Sequence, residues 1–168
     1  MRQLRNSSTS IRDGLRDEIK NRLKGIVTII GVGNIMRGDD GCGPKLIESL
    51  KKKNPRANLF DCGTVPENYI FPILATSCDT VILVDAADFG MTPGSAKVFS
   101  LSEVSSAGTS THNFSLRLFT DLLMTGKDNL NIFVVSIQPK TIALGDSLSD
   151  EVKSGLDDLA DIFAESLA

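Results

Sequence analysis

One histidine, His112, and a few aspartates are the residues of this 168-residue chain best suited to chemistry near neutral pH. Asp39 and Asp40 stand side by side in Gly38-Asp39-Asp40-Gly41, and Asp85 directly follows the apolar run Val81 to Val84. Adjacent aspartates point apart, so at most one of Asp39 and Asp40 faces any one pocket. Glycines at 38, 41 and 43 let the backbone pass close to a neighbour. An aspartate here also suits the cap of a helix that begins near Gly43-Pro44, with proline in the first turn. Asp85, at the end of a buried strand, is costly unless it meets a cation or hydrogen-bond donors; loop amides are the ordinary partners. One imidazole with two carboxylates makes an N/O metal site with positions open to further ligands, suited to zinc, nickel or iron. Two aspartates can instead serve as acid and base, one of them with a raised pKa. The sequence leaves both uses open, and Asp40, Asp85 and His112 come together only if the fold brings them there.

The elements that would position them alternate. Ile11, Leu15, Ile19 and Leu23 recur every four residues among charges, which predicts an amphipathic helix over 10–23 capped by Ser10. That segment reads as a docked helix or an added arm, giving an N-terminal helical extension over 1–24 ahead of a single α/β domain over 25–168. The run Ile26 to Ile30, closed by Gly31 and Gly33, is a strand buried on both faces. A helix over 43–53 follows, then a strand over 57–60 ending at Asp61, a helix over 67–75 and a central strand over 80–84. A turn over 91–94, a strand over 96–99, a Ser- and Thr-rich surface loop over 100–111, a helix over 113–124, a strand over 131–137 and a closing helix over 149–167 complete the chain. This alternation implies right-handed crossovers and a three-layer αβα sandwich with a mainly parallel, twisted central sheet. Ligands of such sheets bind outside the carboxyl ends of the strands, where Gly33 to Asp40, Asp61, Asp85, Asp88 and Gln138 lie.

Composition excludes several functions. The length suits one domain with an adequate core. Apolar residues are 41% of the chain, charged residues 23%, and no apolar run reaches the length of a membrane span. The N-terminus lacks the apolar stretch of a secretory signal, so a cytoplasmic location is expected. Cys42, Cys62 and Cys78 form no CxxC pair and fit reduced thiols. Net charge is −3, and with Tyr69 the only tyrosine and no tryptophan the chain lacks a basic, aromatic-lined surface for nucleic acid. Gly31-x-Gly33 begins like a dinucleotide fingerprint, but Met36 occupies the third glycine's place. A Walker lysine and a GxSxG elbow are also missing, and Cys42 reads as a small buried thiol rather than a nucleophile.

Four ordered stretches, GVGNIMRGDDGCGP (31–44), DCGTVPEN (61–68), VILVDAADFGMTPG (81–94) and STHNFSL (110–116), together resemble the nickel–iron hydrogenase maturation proteases. The likeness spans about residues 25–165 and is nearest the branch that processes the large subunit of the formate-hydrogenlyase type hydrogenase. It implies an endopeptidase of the aspartyl type that removes a C-terminal extension from the large-subunit precursor after nickel insertion. It also implies that Asp40, Asp85 and His112 are both the metal-contacting and the catalytic residues, with nickel carried by the substrate and no organic cofactor. The expected partner is that precursor, with neither nucleic acid nor membrane involved. A non-catalytic nickel-sensing chaperone with the same three ligands is the alternative.

Overall fold

The computed structural model describes residues 2–107 and 113–168, with side chains described over 11–104 and 116–168. Five strands form one sheet in the order β2-β1-β3-β5-β4. They are β1 (Val27–Val32), β2 (Ala57–Gly63), β3 (Thr80–Ala86), β4 (Ala96–Ser100) and β5 (Asn131–Ile137). All neighbours run parallel except β4, which pairs antiparallel with β5. The helices are α1 (Arg2–Arg22), α2 (Cys42–Lys53), α3 (Ile70–Leu74), α4 (Leu101–Ala107), α5 (Asn113–Gly126) and α6 (Asp150–Ser166). None of the described helices is long and apolar enough to cross a membrane.

The apolar runs form strands because a parallel sheet covered on both faces must bury every side chain it carries. Every residue of β1 and of β3 is buried. Alternation then divides them between two cores. Ile29, Ile82, Val84 and Phe133 meet Ile19 of α1, Leu46 and Leu50 of α2, and Leu159 and Phe163 of α6. Ile30, Val81, Leu83 and Val134 meet Ile73 of α3 and Leu116, Phe119 and Leu123 of α5. Helices on both faces of one mostly parallel sheet make the αβα sandwich that the alternation of elements implies.

Three segments differ from the sequence expectation. The expected loop over 100–111 contains α4, nucleated by a reciprocal cap: Ser100 N–H donates to Glu103 Oε2 at 2.7 Å and Glu103 N–H to Ser100 Oγ at 3.4 Å. The expected helix over 67–75 is instead a 3₁₀ turn over Pro66–Tyr69 running into the five-residue α3. The helix α1 begins at Arg2, so Ser10 lies within it rather than capping it; Leu15 and Ile19 of α1, with Leu23 just past its end, face the core, while Ile11 is 73% exposed. The helix docks on the body, and Arg12 reaches Glu165 of α6 at 3.3 Å.

Candidate active site at the carboxyl edge of the sheet

From β1 the chain moves outward to β2 on one side and returns with β3 on the other, so the connections after β1 and β3 part above these two adjacent strands. This is the switch point at which open α/β sheets place their ligands. Gly31 of β1 lies beside Val84 of β3, and Asp85 is the next residue along β3.

The turn after β1 folds tightly. Gly33 has φ 142°, in the region that favours glycine, and a β-carbon there would collide with the carbonyl oxygen of Asp40. Asn34 stabilises the turn twice: its N–H donates to Asp40 Oδ2 at 2.9 Å, and its Oδ1 accepts from Met36 N–H at 2.9 Å. A 3₁₀ turn over Gly38–Gly41 then delivers the chain to α2, whose N-cap is Gly41 with no side-chain cap. Neither Asp39 nor Asp40 caps α2, so the capping alternative does not hold. A methyl group at Gly43 would overlap backbone atoms of Val32 and Val84, so the N-terminus of α2 rests directly on β1 and β3.

Asp40 and Asp85 are both buried. The Cys42 thiol, at the start of α2, is pushed well above the usual thiol range by burial and then by the Asp85 and Asp40 carboxylates. Its raised pKa keeps it neutral, which agrees with a packing role rather than a nucleophilic one. Ser136 of β5, directly opposite Asp85 in the sheet, donates Oγ–H to Asp85 Oδ1 at 2.8 Å.

Asp39 points the other way and is fully buried. Its Oδ2 accepts from Lys140 N–H at 2.8 Å, Thr141 N–H at 3.1 Å and Ser149 Oγ–H at 2.9 Å. Its Oδ1 accepts from Ser149 N–H at 2.7 Å. The two adjacent aspartates therefore serve opposite sides of one turn.

The other strand-end residues have local partners. Asp61 Oδ1 accepts from Gly63 N–H at 3.1 Å. Gln138 is nearly buried and fastens the loop after β3: its Oε1 accepts from Phe89 N–H at 2.9 Å and Met91 N–H at 3.2 Å, and its Nε2 donates to Asp88 Oδ1 at 3.1 Å. The Gln138 amide and then the Gly90 N–H hold the Asp88 carboxyl below its ordinary range. His112 lies outside the described residues, and α5 begins at the next position, Asn113. Among the described residues no three His, Cys, Asp or Glu side chains cluster as a metal site.

Asp40 and Asp85 were legible as candidates because each follows a strand. Ser136 was not singled out, although it is the one hydroxyl in the otherwise apolar run Ile132 to Ile137. The anchoring of Asp39 had no local signal, since its partners lie about a hundred residues further along the chain.

The fold is an α/β sandwich with two buried carboxylates, Asp40 and Asp85, at the sheet's switch point. The chain belongs to the hydrogenase maturation protease family: the family's HycI model matches residues 44–166. The hydrogenase 3 maturation protease of Escherichia coli K12 is 30% identical over 132 residues, covering 77% of this chain and 83% of that protein. The crystal structure of the NiFe hydrogenase maturation protease HycI from Thermococcus kodakarensis KOD1 superposes with a TM-score of 0.80 at 29% identity, covering 89% of this chain and 97% of that one. The solution structure of the endopeptidase HycI from Escherichia coli gives a TM-score of 0.76 at 26% identity, with 84% and 90% covered. The protein is accordingly a peptidase.

Proposed function

We propose that this protein is the endopeptidase that removes a C-terminal extension from the precursor of a nickel–iron hydrogenase large subunit once nickel has been inserted, acting in the cytoplasm. The observation that supports the reading is the location of two buried carboxylates at the switch point between adjacent strands, Asp40 in the turn after β1 and Asp85 near the end of β3. Nickel belongs to the substrate. Asp40, Asp85 and His112 engage it on the precursor, which reads out completed insertion and sets the scissile bond beside the carboxylates. An imidazole with two carboxylates is a donor set suited to nickel.

Cleavage adds water across the peptide bond, oxygen to the carbonyl carbon and a proton to the departing amine. The attacking water is activated by the engaged metal or by an aspartate acting as general base. Both routes need the carboxylate at position 40, so Asp40→Asn is expected to abolish cleavage.

The test is intact mass spectrometry of the precursor, nickel-loaded and nickel-free, incubated with wild type and with His112→Ala. A discrete C-terminal loss only from the loaded precursor, and only with wild type, is the expected result. Nickel-dependent complex formation without any loss of mass would instead mark a metal-sensing chaperone. Neither cleavage nor binding would remove the precursor as the substrate.

A further inference from the structure

We propose that Asp39 is a positioning residue for the reaction: its buried carboxylate ties the turn that presents Asp40 to the segment between β5 and α6, and so fixes where the Asp40 carboxylate stands. The proposal rests on the reading above, in which Asp40 acts on the precursor.

The turn over Gly38–Gly41 is only four residues long, and Asp40 lies in its middle. On the site side, Asp40 Oδ2 accepts from Asn34 N–H at 2.9 Å. On the far side, backbone bonds run from Gly38 N–H to Asp146 O at 3.1 Å, from Asp39 N–H to Thr141 O at 2.9 Å and from Gly145 N–H to Met36 O at 2.8 Å. The four donors held by the Asp39 carboxylate come from the same segment: two consecutive amides, Lys140 and Thr141, and the N–H and hydroxyl of Ser149, the N-cap of α6. One side chain thus joins the turn after β1, the exit of β5 and the start of α6.

The chemistry requires a carboxylate in particular. Each of these four hydrogen bonds is accepted by the Asp39 side chain, across both oxygens. Asparagine has the same size but one oxygen and an NH₂ group, so in either orientation a donor group faces a donor. The turn must then shift, and Asp40, next in the chain, shifts with it. A displacement of about 1 Å at a reacting group lowers a rate by about a hundredfold.

The experiment compares steady-state cleavage of the nickel-loaded precursor by wild type, Asp39→Asn and Leu123→Ala, with thermal unfolding of each. Leu123 is buried in the second core near the end of α5 and serves as a control for lost stability. Asp39→Asn is expected to lower kcat about 10- to 100-fold with KM within about threefold of wild type. Leu123→Ala should keep kcat below its own melting temperature. An Asp39→Asn kcat within twofold of wild type, or an equal kcat loss in Leu123→Ala, overturns the positioning role alone. Wild type that fails to cleave overturns the functional reading and this proposal together. If Asp39→Asn does not fold, Ser149→Ala replaces it: loss of one of the four donors should lower kcat severalfold at unchanged KM, and an unchanged kcat overturns the proposal.

Discussion

Ser136 and Asp85 face each other across the β3–β5 pair with neither side chain in contact with bulk water. A hydrogen bond to a buried charged group contributes about 1.5–3 kcal/mol. Ser136→Ala should therefore destabilise the protein by about that amount, read by urea denaturation. Cleavage should fall as well, because the Asp85 carboxylate loses a donor that orients it. The three cysteines respond to pH in the opposite sense from paired carboxylates. Burial pushes Cys62 up to about 12 and raises Cys42 and Cys78. A raised folded-state pKa means the neutral thiol is the favoured form in the native protein. The stability this contributes is full below the ordinary thiol range and declines as pH rises through it towards the folded value. The melting temperature should accordingly fall above about pH 9, and Cys62→Ala should flatten part of that decline. A melting curve series whose alkaline limb is the same in wild type and Cys62→Ala would count against this account. In the folded state near pH 8, Ellman's reagent should label none of the three thiols rapidly, and denaturant should release all three.

At the scale of elements, α2 shows how closely helix and sheet approach beside the candidate site. Gly31 and Gly43 face one another at contact distance, and neither has room for a β-carbon. Gly43→Ala should push the first turn of α2 away from β1 and β3 at a cost of about 1–3 kcal/mol, measured as a fall in denaturation midpoint. It should also displace Cys42 and the adjoining Asp40 turn, lowering cleavage even where the variant stays folded. The strands were readable from the sequence because buried parallel strands demand unbroken apolar runs, as in Val81 to Val84. The helix α4 was not, because Leu101 to Ala107 has few strong helix formers and its Ser-rich composition resembles a loop. Its start was nonetheless written in Ser100-x-x-Glu103, the spacing of a reciprocal cap. Of the site, the two carboxylates were legible from strand ends alone. Their supports were not: Ser136 depends on sheet register, and Asp39 depends on a segment far along the chain.

Across the whole molecule, the second half of α1 takes part in the packing. Ile19 is fully buried among residues of the first core. Ile19→Ala is expected to cost about 2–5 kcal/mol, whereas Arg12→Ala, which loses only partly exposed ion pairs to α6, should cost under about 1 kcal/mol. Equal costs for the two, in parallel urea titrations, would contradict the docking of α1. The sheet order carries a further consequence for how the chain is made. β5 sits between β3 and β4, yet it is the last strand to leave a ribosome. Until Asn131 to Ile137 emerges, β3 has one unpaired edge along its apolar run Val81 to Val84, and β4 has no strand partner. An open apolar edge is a template for pairing with other chains. The nascent protein thus passes through a sticky interval after β4 and before β5, and the Ser136 that donates to Asp85 arrives with the strand that ends it.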